Sequence, residues 1–538
     1  MKMWGGMLLA ASLTACGGGG GGGDTSDALV NSATAGEVAA NVVTAAEASS
    51  GSSSLSNDSY EVAAADGVLS TDASVASSSD TSSSLMSAQA VSASSSCYSL
   101  PAMPSVPSDA LKVTDFGAVA NDDLPDDAAI SKALAALKPG QWLVFPPGRY
   151  IQSKSIYVNV QNAVLWGNGA TIHATNPDDQ SIQLAASGAS IYGFTLTAAT
   201  DYRRTLPRSS RISIYPAATL TGAVSGNVVR RNTITYDASN PNGGSGGILV
   251  YRAKDFLVAE NTVRRTLADG IHMTGGSYNG KVMNNTVRET GDDMIAVVSY
   301  LGSDWRTKVK SSVSAASALW GQRAHDIYIA NNDVSGNYWG RGITVVGGAN
   351  VTITNNAISK VTRAAGVLVG QEANYNTFGD VNILVTGNSI SQIQTTTPAY
   401  VASTALAKLA ATTLTGQAGI EVYNSSNSTS DATDALLKPY ITTSGVMIGS
   451  NSVKTTIRDG LRMGSDTAEG LIGATSLRSN AFSGIKLKAI NHLLASVSPS
   501  YCSGNTLDGA ATGDASTCAA TVEPVVTGAS LSCTGALQ

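Results

Sequence analysis

One phrase of apolar and polar positions recurs along the middle of the chain: an apolar residue, two free positions, an asparagine, one free position, then Ile, Val or Phe. It stands at 229–234, 258–263, 282–287, 329–334, 353–358, 385–390, 448–453 and 477–482. Its asparagines (Asn232, Asn261, Asn285, Asn332, Asn356, Asn388, Asn451 and Asn480) lie 24 to 32 residues apart except across two longer intervals, which fit an insertion or a skipped coil. Periods of that size mark a solenoid, in which no repeat buries its apolar face alone and each is covered by its neighbours. A second phrase follows each first one, starting at Gly247, Gly270, Met294, Gly342, Gly366, Gly419, Gly460 and Gly484. Its second and fourth positions are apolar and its third is free, the period-two signature of a strand with one buried face. Short strands, two or more per repeat, with no helical periodicity between them predict an all-β chain folded as a right-handed parallel β-helix. The recurring asparagine then falls at one corner of every coil, where stacked amides form a hydrogen-bond ladder.

The first edge of a solenoid has to be covered. Asp126 and Asp127 can open a helix running through Lys138, with Ala129, Ile130, Ala133, Leu134 and Leu137 on one face and Pro139-Gly140 as its stop. An N-terminal capping helix is therefore expected. The flanking segments Val113-Thr-Asp-Phe-Gly-Ala-Val119 and Trp142-Leu-Val-Phe-Pro-Pro-Gly-Arg-Tyr150 resemble the entry of the pectate-lyase-like superfamily of β-helix proteins. The resemblance covers most of residues 110–490 and implies fold more than activity, because several chemistries share that scaffold.

Aligning the coils on the second phrase puts Gly246, Asp269, Asp293, Arg341, Ala365, Ala418, Asp459 and Ser483 in one column. Parallel strands stack about 4.8 Å apart, so Asp269 and Asp293 come within direct electrostatic reach, and Asp292 adds a third carboxylate. Three acids that close repel one another and raise at least one pKa, a cost that points to use. Asp459, with no acidic neighbour, shows that the corner also tolerates an idle aspartate. The motifs Leu267-Ala-Asp-Gly-Ile-His272, Thr290-Gly-Asp-Asp-Met294 and Gly340-Arg-Gly-Ile343 resemble the catalytic signature of the polygalacturonase-type glycoside hydrolases. Arg341 stands in place of that family's histidine, and Ala365-Gly366-Val367-Leu368 where it has Arg-Ile-Lys. The resemblance implies that Asp292 protonates the leaving glycosidic oxygen and that Asp269 and Asp293 activate water, with inversion and without metal or other cofactor.

An insertion at about 301–325 carries Trp305, Arg306, Lys308, Lys310, Trp320 and Arg323, with Tyr300 ahead of it and Tyr338 and Trp339 behind. Flat aromatic faces suit pyranose rings, and basic groups suit an anionic polymer. Arg341, His272, Tyr300, Trp305, Arg306, Trp320 and Trp339 are accordingly the expected substrate-binding residues. The competing expectation is that Trp305 and Trp320 pack the insertion onto the wall of the helix. Arg203, Arg204, Arg208 and Arg211 form a further basic group of the kind that is most often merely solvated.

The chain ends add location. Residues 1–15 read as a signal peptide, and Leu13-Thr14-Ala15-Cys16 resembles the lipobox of bacterial lipoproteins, which implies cleavage before Cys16 and its acylation. Residues 16–97, glycine-rich and then dominated by Ser and Ala, cannot bury enough apolar surface to fold and read as a tether. The expected body, 98–538, holds 32 basic and 30 acidic residues; such a near-neutral balance argues against nucleic-acid binding. Cys97, Cys502, Cys518 and Cys533 read as disulfide staples of the C-terminal tail, with three connectivities open.

The expected protein is thus a cell-envelope, outer-membrane lipoprotein, touching the membrane through its lipid only, that hydrolyses an extracellular polysaccharide, with an acidic polymer suited by the basic residues of the insertion. A calcium-dependent polysaccharide lyase or C5-epimerase on the same scaffold is the alternative enzyme. A polysaccharide-binding protein or adhesin is the alternative without chemistry.

Overall fold

The computed structural model of the chain describes residues 95–199, 207–238, 240–395, 414–425, 427–467, 471–493, 500–508, 510–511 and 520–532. The expected signal peptide, Cys16 and nearly all of the expected tether lie outside the described residues, as do Cys518 and Cys533. Three sheets, a first of 15, a second of 13 and a third of 11 strands, run the length of the body. Each turn of the chain contributes one strand to each sheet in the same order, which makes the body a right-handed parallel β-helix. Among the described residues the one antiparallel pair of strands, Thr506–Leu507 with Ala510–Ala511, closes the C-terminal end, and a single antiparallel bridge joins Tyr300 to Thr377.

The repeat phrases map onto these sheets. In the first sheet Val258, Val282, Ile329, Ile353, Val385 and Ile448 stack in register. In the second sheet Val263, Val287, Val334, Ile358, Ile390 and Val453 do the same. The third sheet stacks Ile271, Ile295, Ile343, Val367, Ile420 and Leu461. All of these side chains point inward and are buried in one continuous core. Each is worth about 1.5–3 kcal/mol relative to exposure, which explains why apolar identity is kept at these positions while their neighbours vary.

The asparagine corner is a complete ladder. The main-chain N–H and the side-chain amide of each asparagine both donate to the Oδ1 of the next, from Asn232 through Asn261, Asn285, Asn332, Asn356, Asn388 and Asn451 to Asn480, at 2.9–3.1 Å. Asn505 extends it by one rung. The residue ahead of each asparagine has a positive φ, for example Glu260, Asn284, Asn331 and Asn355. That left-handed residue turns the chain between the first and second sheets, and the ladder compensates for its strain.

The N-terminal helix spans Asp127–Ala136, with Ala129, Ile130 and Ala133 buried. It stops two residues short of the expected Lys138: Leu137 is already extended, and Lys138, the residue before Pro139, is disfavoured in helical geometry. Asp126 does not cap it through its side chain. Its carboxylate instead accepts from Val119 N at 3.0 Å and Ile151 N at 2.8 Å, tying the cap to the first coils.

One repeat assignment fails. The third-sheet strand Leu461–Ser465 pairs with Ile490–His492, Leu461 opposite Ile490, whereas Gly484 lies within the second-sheet strand Ala481–Ile485. Lys488, not Ser483, therefore completes the column of corner residues. Ala489 keeps the nine-residue distance from its ladder asparagine that Gly270, Met294 and Gly460 also show, so ladder spacing locates the strand better than the glycine does.

Both ends of the described chain run over the outside of the first sheet. From Glu523, bonded to Ser476, the tail passes Asn382, Thr352 and Asp326 to Asn279. There it meets the N-terminal segment, where Tyr98 donates to Ala529 O and stacks edge-on against Tyr328. Cys97 and Cys502 are both disulfide-bonded.

Candidate active site

The third-sheet strands Ile271–Thr274, Ile295–Val298, Ile343–Val346 and Val367–Glu372 lie side by side. The parallel ladder continues backward through the corner ahead of them. Gly270 N donates to Asp293 O, Met294 N to Arg341 O, and Gly342 N to Ala365 O, at 3.0–3.1 Å. Asp269, Asp293 and Arg341 are thereby held one above another. Threonines that the sequence reading passed over shape the turns, with Thr266 Oγ1 donating to Ala268 O and Thr290 Oγ1 to Asp292 O.

Asp269, Asp292 and Asp293 each present a carboxylate oxygen within 4.8 Å of the others. The cluster is kept tight by Gly340, where an added Cβ would stand 2.4 Å from Asp292 Oδ1, Asp293 Oδ1 and Asp293 N. No side chain fits there without moving both acids. Gly340→Ala is expected to lower turnover about 100-fold, since displacements of about 1 Å cost that much, while leaving the fold intact by circular dichroism; unchanged turnover would show that the acids need not be so close.

Positive charge is distributed around the cluster. Arg341 donates its main-chain N–H to Asp293 Oδ1 at 2.5 Å, holds its guanidinium 3.8 Å from Asp293 Oδ2, and hydrogen-bonds Glu372 through Nη2. His272 Nδ1 meets Asp269 Oδ2 at 2.5 Å, and its Nε2 is buried with no partner among the described residues. Burial pushes the Asp293 carboxyl up to about 7, with Arg341 opposing and Asp292 and Asp269 adding to the rise. Burial alone would lower His272, but its hydrogen bond to Asp269 and the surrounding carboxylates outweigh that and the net shift is upward. Burial, then Asp269 and Glu372, raise the Tyr300 phenol, which stays protonated as a hydrogen-bond donor.

The structure thus brings Asp269, Asp292, Asp293, His272, Tyr300 and Arg341 together. Trp339 joins them at the edge, its main-chain N–H donating to Gly291 O at 2.9 Å, although the Arg363 guanidinium lies 3.5 Å over its ring. Glu372 was not foreseen. It sits at the far end of a strand whose phrase was read only as far as its fourth residue, and its link to Arg341 is visible only once the coils are stacked.

The insertion follows the competing expectation, in which its indoles pack and do not face a sugar. Its two helices, Trp305–Ser311 and Val313–Trp320, build a second apolar core outside the solenoid with Phe378, Leu437, Tyr440 and Ile441. Trp305 is 1 % exposed within that core and offers no face to a sugar. Trp320, 37 % exposed, stacks on Tyr440 at 4.3 Å. An indole in an inserted segment gains more by burial against an available aromatic wall than by standing in water. The insertion's cations are also taken: Arg306 by Asp431, Lys308 by Asp304, Lys310 by Asp434. Arg323 is buried, bonded to the carbonyls of Gly347 and Gly379. In the other basic group, Arg211 is fully buried inside the solenoid against main-chain carbonyls, and Arg203 and Arg204 lie outside the described residues.

A divalent cation is the other occupant that three clustered carboxylates invite. Calcium takes six to eight oxygens, whereas here a guanidinium and an imidazole already stand against two of the three acids, so the donor set fits poorly.

No protein-family model matches the sequence, and no curated protein does either. Solved structures do match in fold. The catalytic domain of a GH87 alpha-1,3-glucanase variant in complex with tetrasaccharides is 14 % identical, over 76 % of this chain and 71 % of that one, with a TM-score of 0.52. The mannuronan C-5 epimerase AlgE6 A-module of Azotobacter vinelandii is 16 % identical, over 74 % and 99 %, with a TM-score of 0.43. PfbA, a surface adhesin of Streptococcus pneumoniae, is 16 % identical, over 74 % and 90 %, with a TM-score of 0.42. At such identities the likeness is one of fold.

Proposed function

We propose that the protein is a glycoside hydrolase acting on a polysaccharide, with Asp269, Asp292 and Asp293 as its acid and base groups and no metal. The observation that carries this reading is the packing of three carboxylates on neighbouring coils, with one carboxyl raised to about 7. At neutral pH such a cluster holds a proton that an isolated aspartate would have lost, and a general acid needs that proton. The titration belongs to the cluster, so the proton is available to Asp292, the donor implied by the polygalacturonase resemblance. Asp269, oriented by His272, and Asp293, oriented by the Arg341 main chain, then serve the attacking water. Tyr300 and Trp339 border the place where a sugar ring would sit. A fold shared with a glucanase in complex with tetrasaccharides is in keeping with this reading.

A second stereochemical course is open to the same groups. Inverting enzymes usually separate their carboxyls by about 6.5–9.5 Å to admit a water, and retaining ones by about 5–5.5 Å. The nearest oxygens lie within 4.8 Å of one another, which also allows double displacement, with Asp269 or Asp293 as nucleophile in place of water activation. Nuclear magnetic resonance of the first-formed anomer separates the two courses.

The test is incubation of the purified protein with neutral and acidic polysaccharides. New reducing ends without ultraviolet-absorbing unsaturated products, unaffected by chelator, are expected. Unsaturated products abolished by chelator would replace the reading with a lyase, and changed sugar composition at constant chain length with an epimerase. No change to any polymer would leave an adhesin or binding protein. The lipid anchor at Cys16 and outer-membrane location belong to the same proposal, and labelling with a radioactive fatty acid in cells carrying Cys16→Ser checks them.

A further inference from the structure

Resting on the hydrolase reading, we propose that the sugar units bound across this site are uncharged, so that the substrate is a neutral polysaccharide and not a polyuronate. Among the described residues four carboxylates, Asp269, Asp292, Asp293 and Glu372, converge on the site against two directly bonded cationic groups, Arg341 and His272, with the buried Arg363 also acting on Asp292. Both of those are committed: Arg341 bridges Glu372 and Asp293, and His272 is bonded to Asp269. A uronate would bring one more negative charge per ring into this acid-rich corner, where like charges in a poorly solvated cleft repel strongly. It would need a guanidinium or ammonium facing it, as carboxylate recognition elsewhere relies on the arginine fork.

Among the described residues the neighbouring cations do not supply one. Arg363 is buried, its guanidinium held over the Trp339 ring. Arg306, Lys308 and Lys310 are each matched by an acid of the chain itself, and Arg323 is buried against carbonyls. Basic composition near the cluster therefore holds the insertion together and does not attract a polyanion. What the corner does offer is acceptors in excess, which pair with the hydroxyl donors of a neutral ring. It also offers the Tyr300 phenol as a donor for ring or hydroxyl oxygens, whereas His272 Nε2 and Arg341 Nε are closed to solvent.

The test is affinity electrophoresis of the full chain, and of its Asp292→Asn form to block turnover, through gels containing single polymers. The neutral set is xylan, mannan, galactan and a mixed-linkage glucan; the acidic set is polygalacturonate and alginate, each also after chemical reduction of its carboxyls. Retardation by at least one uncharged polymer and by neither polyuronate is expected, persisting within about twofold at about 0.5 M salt, where exposed charges are screened. Retardation by polygalacturonate or alginate that disappears on carboxyl reduction overturns the neutral substrate while leaving the hydrolase reading standing. Retardation by none of the polymers, reduced forms included, overturns both.

Discussion

Asp293→Asn is expected to lower turnover on the cleaved polysaccharide by about 1,000-fold, within the 100- to 10,000-fold range of general acid–base groups, and to raise stability at pH 8. The two effects share one cause. Asp293 is buried beside two other acids, and its folded pKa, about 7, lies above the ordinary aspartate value. The native state therefore holds a proton that the unfolded chain releases at lower pH, so stability falls as pH rises from about 4 to about 7. His272, raised as well, acts in the same direction: its stabilising contribution is present at low pH and lost as pH passes its folded pKa. The cost at pH 8 is on the order of a few kcal/mol, at about 1.4 kcal/mol for each pH unit by which a group has moved. Asparagine keeps the shape and removes the charge. Thermal unfolding of both forms at pH 5 and pH 8 checks this: the native protein should lose stability between the two and the variant much less. A variant with native turnover, or one destabilised at both pH values, would remove Asp293 from the chemistry and make it a structural aspartate.

Asn332→Ala is expected to be the most damaging single change in the core of the solenoid, costing about 4 kcal/mol, from buried hydrogen-bonding groups left unmet at about 1–3 kcal/mol each. Its Oδ1 receives both donors of Asn285, and its amide serves Val282 O and the Oδ1 of Asn356. None of these groups can reach water. Asn505→Ala, at the free end of the ladder and 6 % exposed, should cost less, because its neighbours stand near solvent. Chemical denaturation of the two variants checks the difference, and equal losses would mean that the ladder carries no cooperative stability.

The fold was readable because its determinants are local and repeated. Period-two phrases specify inward faces, and an asparagine every coil specifies a corner; neither depends on distant contacts. The site was readable for the same reason, as far as corner residues on successive coils go: Asp269, Asp293 and Arg341 are found by counting from the phrase. Glu372 escaped because its role depends on a partner one coil away and at the other end of its strand. Trp305 was misplaced because an aromatic residue next to acids looks alike whether it faces a ligand or a hidden wall, and that wall, Phe378 and Tyr440, is contributed by segments 70 to 140 residues further along. Gly484 misled because glycine serves equally as a strand opener and as a residue with positive φ.

A stack of coils ordinarily behaves like a zip, each end free to open alone. Here the tail leaves the last coils, doubles back along the first sheet and is fastened at the waist of the rod beside Tyr98 and Asn279. Opening the C-terminal coils strips the tail from the middle, so the far end shares the fate of the centre that carries the acids.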